Sequence, residues 1–464
     1  MNRATSNVLE YLEHSAERYP DKTAFEDEKK TSTYRETWEA ARRIGSALAG
    51  MSEARRPIPV LGEKSVETVQ TFFGIVNAGC FYILLDPKQP VSRLQQILKT
   101  LDATLLVVMS EDHRKTADAL GFDGKIVYYE QMKDSEEDGD VLDVIRANAA
   151  DVDPLYVNFT SGSTGIPKGV VVNHRSVSDF MEYFPELFEI TEEDVIGNQA
   201  PFDFDVSVKD IYATLKTGAT MVMIPKQYFS FPTKLLDYLC ERNVTTLIWA
   251  VSAVCIISTL KGFDYKVPEK INKVLFSGEV MPIKHLNIWR KYLPKAQFVN
   301  LYGPTEITCN CTYYKIDREF QKGDVLPIGV PFPNEKVFLL DEEEELVQEA
   351  NKKGELCVAG TALALGYYQA PEQTRRAFVQ NPLNPYYPET IYRTGDLAYY
   401  NETGELCYAS RKDFQIKHMG HRIELGEIES AMDQVDAIVR ACCIFHEEKK
   451  RILAFYEGEF EKRE

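Results

Sequence analysis

Between residues 220 and 303 short apolar runs alternate with helical patterns of about ten residues. The order is "TMVMIP", a helix over 233–243, "TTLIWAV", a second helix, "KVLFSG", a helix over 282–293, and "QFVNLYG". Runs this apolar and β-branched, separated by amphipathic stretches, predict parallel strands buried under helices on both faces of a sheet. The first third repeats the pattern. "PIPVLG" (57–62) precedes a helical spacing of Val66, Val69, Phe72, Phe73 and Val76, and "TLLVVM" (104–109) and "KIVYY" (125–129) follow. Open parallel sheets gather ligands at the carboxyl ends of their strands. The loops "FSGE" (276–279) and "LYGPTE" (301–306) are therefore candidate site loops.

After residue 330 the character changes. "GELCVAG", "IYRTGDLAYY" and "ELCYAS", separated by turns, predict a smaller antiparallel region. "SRKD" (410–413) reads as a linker, and "FQIKHMGHRIELGEIESAM" as a strand, a glycine turn and a helix start. A chain of 464 residues exceeds one compact core. The expected architecture is α/β. A large N-terminal unit over 1–409 holds helix-covered, mostly parallel sheets and a small β-rich region. A hinge over 410–413 follows, and then a small α+β unit over 414–464.

The stretch "NFTSGSTGIPKGVVV" (158–172) concentrates glycines and hydroxyls ahead of one lysine. It is not a Walker loop, because Lys168 precedes Gly169 instead of a magnesium-binding hydroxyl. Its flanks "LYVNF" and "VVVN" both read as strands, which makes it a hairpin-like loop. An unliganded turn is the common reading of such composition. Lys168 behind a stiffening proline instead favours phosphate held by backbone amides and by Thr160, Ser161, Ser163 and Thr164.

Composition narrows the partners. With 71 acidic and 53 basic residues the formal charge is −18, and no Lys/Arg run offsets it. Nucleic acid and anionic membrane are poor partners for such a surface. Nine scattered cysteines without a C-x-x-C pair suggest reduced thiols in a cytosolic protein. Glu10, Glu13, Glu17 and Arg18 stand where a signal peptide would be apolar. A cytoplasmic location is expected.

With these motifs in view, "TSGSTGIPKG" resembles the signature of adenylate-forming enzymes, the superfamily of nonribosomal peptide adenylation domains, acyl-CoA synthetases and luciferases. Further motifs follow in the family's order: "LLDPKQPVSR", "FDVSVKDIYATLKTG", "NLYGPTE", "GELCVAG" with "LGYY", "YRTGD" and "RKDFQIKHMGHRIELGEIE". Within the superfamily the chain is most similar to amino-acid-activating members, D-alanine:carrier-protein ligases included. The resemblance implies ATP and Mg2+, an amino acid, and a phosphopantetheinyl carrier protein as reactants and partners. It implies that Lys168, Glu306 and Arg411 are catalytic, with Glu306 on magnesium. Thr160, Ser161, Gly162, Ser163, Thr164, Gly165 and Lys168 would surround the outer phosphates. Tyr302 would lie on the adenine face and Asn300 at its amino group, with Leu301, Gly303 and Thr305 completing that side. Asp396 would accept the ribose hydroxyls, with Arg411 beside it. Each of these residues alone is most often an ordinary turn, packing or surface residue; it is the joint order that carries the reading.

Counting back from "TGA" (217–219) places Asp205, not Asp203, where amino-acid-activating members keep a carboxylate for the substrate ammonium. A buried ammonium needs such a counter-ion. By the same register Val206, Lys209, Ile248, Leu275, Ser277, Gly278, Leu301, Cys309 and Asn310 line the side-chain pocket. An inward Lys209 suits glutamate or aspartate; alternatively its stem packs and its ammonium snorkels to solvent. Ser277, Cys309 and Asn310 suit serine or cysteine, and a D-alanine-type substrate also fits. Asp413 takes the family's hinge position, and "HMGHR" (418–422) would face a thiol channel. Ser410 stands in place of the usual glycine. The chain stops before the family's late N-G-K lysine, so a truncated C-terminal domain is expected. Acyl- or aryl-CoA synthesis and non-catalytic binding are the competing functions.

Overall fold

The computed structural model describes residues 6–161, 167–412, 415–419, 421–432, 435, 437–446 and 449–458. Two large sheets dominate it. The first has nine strands. From one edge they run Val330–Pro331, Thr312–Lys315, Gln297–Tyr302, Lys273–Ser277, Thr246–Ala250, Val195–Asn198, Thr220–Met223, Thr23–Glu26 and Thr31–Thr33. Gln297–Tyr302 through Thr23–Glu26 are parallel, and the outer strands are antiparallel. The second sheet has seven strands, in the order Gly366–Tyr367, Lys168–Asn173, Pro154–Thr160, Phe81–Leu85, Pro57–Leu61, Leu105–Val108 and Lys125–Tyr128. The last five are parallel.

Central strands such as Thr246–Ala250, Lys273–Ser277 and Phe81–Leu85 are buried at every residue. That is why they read as continuous apolar runs and not as alternating ones. The two helices expected over 233–243 and 282–293 are Pro232–Glu241 and Ile283–Tyr292.

The main core lies between the two large sheets. It is filled by the helices Val66–Asn77 and Val206–Thr217, both buried nearly all round. Ser65 caps the first by accepting from the Thr68 amide. Gly218, at φ 79°, ends the second in the left-handed region. Tyr212 of that second helix hydrogen-bonds Tyr82 of the seven-stranded sheet (2.9 Å) and meets Phe73 edge-on. These contacts fix the helix that begins at Asp205 against the opposite sheet.

A third, antiparallel sheet orders Glu335–Leu340, Lys353–Gly360, Thr390–Tyr400 and Phe378–Gln380, with Leu406–Arg411 on Thr390–Tyr400. It is the small β-rich region expected after residue 330. The first residues of the expected linker are paired to this sheet. Ser410 and Arg411 belong to the last strand, paired with Leu397 and Asp396, and the Lys412 amide donates to the Gly395 carbonyl. Strand pairing thus holds the chain through Lys412, and Asp413 lies outside the described residues. The terminal part consists of the hairpin Gln415–His418/His421–Glu424, the helix Leu425–Met432, and the hairpin Ile438–His446/Arg451–Gly458.

Beyond Tyr302 the chain folds back tightly. A Cβ on Gly303 would sit 2.5 Å from Asn310 Cα and 2.7 Å from the Cys309 carbonyl oxygen. Both are backbone atoms and cannot swing away. Thr308 (φ 52°) and Cys309 (φ 77°) hold left-handed conformations in the same loop, strained for side chains that branch or pack. Gly303→Ala should therefore destabilise the protein by about 1–3 kcal/mol, read as a lower denaturation midpoint. Wild-type stability would show that the loop is not close-packed there.

Candidate active site

The glycine-rich stretch joins two antiparallel strands, Pro154–Thr160 and Lys168–Asn173, and Thr160 pairs directly with Lys168. Gly162, Ser163, Thr164 and Gly165 lie outside the described residues. Ser161 is buried, and the Thr160 hydroxyl is buried with no hydrogen-bond partner. An orphaned hydroxyl at the mouth of such a loop fits a site that takes oxygen atoms from a ligand.

Lys168 reaches over the ring of Tyr367, 5.4 Å from Nζ to the centroid. The Tyr367 hydroxyl donates to Glu306 Oε1 at 2.8 Å. Glu306 is fully buried in the short 3-10 turn Thr305–Ile307, just past the strand Gln297–Tyr302. Lys168, Tyr367 and Glu306 thereby connect the glycine-rich hairpin to the carboxyl end of the other sheet. Sequence reasoning quoted "LGYY" but gave Tyr367 no role. No local signal gives it away, because its place is set by an edge strand on Lys168–Asn173, where Tyr367 pairs with Val170.

On the other flank Asp396 is buried and doubly held. Tyr302 donates its hydroxyl to Oδ2, and Arg411 Nη1 donates to Oδ1 at 2.9 Å and to the Thr394 carbonyl at 2.8 Å. Each carboxylate oxygen can accept a second bond. Asn300 is also buried, and its amide nitrogen donates to the Pro327 carbonyl at 2.8 Å. That leaves the amide oxygen as its acceptor. Leu301 is buried in the main core beneath this flank, and Thr305 is half-buried at its rim.

Of the residues expected to line a side-chain pocket, four lie on three adjacent parallel strands. Ile248 lies beside Leu275 in register, Ser277 ends the second strand, and Leu301 stands in the third. Gly278 follows at φ 94° with open space where a Cβ would be. The helix Val206–Thr217 supplies the fourth wall. Asp205 caps its start in helical conformation, and its carbonyl accepts from the Cys309 thiol at 3.0 Å. The Asp205 carboxylate raises the thiol of Cys309 and the phenol of Tyr156, with burial the larger cause for both. Asp205 thus stands beside Cys309 at the start of this helix. Asp203 faces away. It accepts from Gln89 at 2.8 Å, and burial together with Asp86 pushes it up to about 6.

Lys209 points inward and is 0% exposed, so the snorkelling alternative does not hold. Its ammonium donates to Asn310 Oδ1 at 2.7 Å and to Ser277 Oγ at 3.4 Å. Burial pushes its pKa down. The next residue, Asp210, had drawn no attention in the sequence. It is buried, accepts from Asn198 Nδ2 at 2.6 Å and is pushed up to about 7 by desolvation. Asn198 Oδ1 in turn accepts from Lys64, itself pushed down to about 7 by burial. Finally, His421 meets the ring of Phe204 edge-on at 5.0 Å, which brings the turn of the first C-terminal hairpin to the residue before Asp205.

These features describe an adenylate-forming ligase, and the chain belongs to the family of AMP-binding enzymes, whose profile matches residues 12–368. It is 32% identical over 467 residues to zwittermicin A synthase ZmaJ of Bacillus cereus, covering 97% of this chain and 86% of that one. It is 33% identical over 442 residues to tyrocidine synthase 3 of Brevibacillus parabrevis, covering 94% of this chain. Against that much larger relative the chain spans only 6% of the length. Its fold is similar to the crystal structure of IdnL1 (TM-score 0.84, 25% identity, 100% of this chain and 94% of that one). It is also similar in fold to holo-PA1221, described as an NRPS protein containing adenylation and PCP domains (TM-score 0.85, 24% identity, 98% and 77%). Among the described residues no helix is long and apolar enough to cross a membrane.

Tyr367→Phe removes the hydroxyl that Glu306 accepts from while keeping the ring under Lys168. Leaving a buried carboxylate short of a donor should cost about 1–3 kcal/mol. In urea denaturation this variant should unfold earlier than wild type, and a Tyr368→Phe control should not.

Proposed function

We propose that the chain activates an amino acid with ATP, forming an aminoacyl adenylate and pyrophosphate, and passes the aminoacyl group to the phosphopantetheine thiol of a carrier protein. The observation that carries this reading is Asp205. It stands at the start of the helix Val206–Thr217, beside Cys309 and one turn from the buried Lys209, where an α-ammonium would supply its carboxylate with a counter-charge and a fatty or aryl acid would supply none.

On this reading the substrate carboxylate attacks the α-phosphorus, the bond to the bridging oxygen breaks, and pyrophosphate leaves. Thr160 and Lys168, with the loop between them, hold the outer phosphates. Asp396 accepts the ribose hydroxyls, kept in place by Tyr302 and Arg411. The oxygen of Asn300 accepts from the adenine amino group, and the Tyr302 ring flanks the base. Among the described residues no group of three or more His, Cys, Asp or Glu side chains could hold a metal ion by itself. Magnesium would therefore rest on Glu306 and on oxygens of ATP, the usual arrangement for this ion, and would supply positive charge against the phosphates. The thiol then attacks the acyl carbon and AMP leaves. Contact between His421 and Phe204 supports a C-terminal unit that closes over the substrate pocket for this second step.

The test is thermal stabilisation by non-hydrolysable adenylate analogues carrying aminoacyl, acyl or aryl groups, since stabilisation follows ligand concentration over affinity. Wild type should prefer aminoacyl analogues. Asp205→Asn should weaken that class by about thirtyfold or more, and Asp396→Asn should weaken all classes alike. Stabilisation by acyl or aryl analogues alone would rule out the amino-acid reading.

A further inference from the structure

Among the described residues, Lys209 is a fully buried lysine at the substrate pocket that the nucleotide half of the reaction does not use. Its two acceptors, Asn310 Oδ1 and Ser277 Oγ, are both neutral. An ammonium has three protons to donate, and among the described residues no carboxylate forms an ion pair with Lys209 Nζ. Taking a charge out of water costs several kcal/mol unless an opposite charge meets it, so burial lowers the pKa of this group and an anion that reached it would be held strongly.

The protein supplies one only at a distance. Burial lowers the pKa of Lys209, and Cys309, then Asp205 four residues earlier on the same helix and Asp210 one residue later, act against that without bonding to it. Asp210 turns instead to Asn198, which also holds Lys64. Once the α-ammonium of the substrate takes Asp205, that compensation is spent. A neutral side chain would leave the Lys209 charge isolated in a closed, apolar wall of Ile248, Leu275 and Leu301. A side-chain carboxylate would restore neutrality.

We propose that the substrate is a dicarboxylic amino acid of the aspartate or glutamate class, its side-chain carboxylate received by Lys209 while Asn310 and Ser277 hold the ammonium in place. The spacing fits. Residues four apart on a helix carry their Cβ atoms roughly 5–6 Å apart, comparable with the separation between ammonium and side-chain carboxylate in these amino acids. Cys309, buried beside Asn310, places nothing negative against the incoming group: burial and Asp205 hold its thiol protonated. This inference rests on the aminoacyl-adenylate reading above and adds the chemistry of the side chain.

Calorimetric titration of the whole chain with glutamyl, glutaminyl, aspartyl, asparaginyl, seryl and alanyl sulfamoyladenosines tests it. One acid should bind about thirtyfold more tightly than its own amide, an isosteric pair that differs in charge. Asn310→Asp supplies the missing anion from the protein and should erase that ratio, as should Lys209→Met, which removes the cation. An amide, seryl or alanyl analogue that binds as tightly as the best acid would overturn the proposal and leave amino-acid activation intact. So would an acid preference that survives both substitutions. If neither variant folds, the wild-type acid-to-amide ratio still decides. Binding of acyl or aryl analogues with no aminoacyl analogue at all would instead bring down the underlying reading.

Discussion

A helix that carries charge through a hydrophobic core governs much of this structure. Val206–Thr217 is packed between two large sheets, yet it begins at Asp205 and continues through Lys209 and Asp210. Each charge must be met by a polar partner or a ligand. Asp210 is met from one sheet by Asn198, which also holds Lys64. Lys209 is met from the strand ends of the same sheet by Ser277 and from the returning loop by Asn310. The strained turn at Thr308 and Cys309, tied down where the Thr308 hydroxyl donates to the Ala362 carbonyl, is what brings Asn310 there. Pocket chemistry and core packing are thus one arrangement, and a change in either disturbs both.

The nucleotide side follows a different rule. There a third, antiparallel sheet delivers Asp396 and Arg411 to Tyr302 at the end of a parallel strand. The glycine-rich hairpin reaches Glu306 through Tyr367. Three sheets therefore meet around the carboxyl ends of one of them, where open parallel sheets present their ligands.

Most of the architecture was legible in the sequence because buried parallel strands leave a plain signature. "TLIWA" and "KVLFS" are apolar almost throughout since both of their faces are covered. The site's members were legible as ordered motifs, but their partners were not. Nothing in "LGYY" says that Tyr367 will pair across to Val170 and so reach Glu306, and nothing in "FDVSVKD" says which of two adjacent charges turns toward the pocket. Lys209 could have snorkelled; its burial is set by residues some 70 and 100 positions away, Ser277 and Asn310. The local structure of 410–412 was hidden for a related reason. "SRKD" has loop composition, but strand pairing with Leu397 and Asp396 overrides it through Arg411. Tertiary contact decides these points, and a local pattern does not contain it.

The most direct measurement is native mass spectrometry of the chain after incubation with ATP, magnesium and an equimolar mixture of the common amino acids with fatty and aryl acids. A retained adenylate whose mass is AMP joined to an amino acid, lost when Asp205 is replaced by asparagine, is the expected result. A retained fatty or aryl adenylate, indifferent to Asp205, would contradict amino-acid activation and return that carboxylate to a purely structural role.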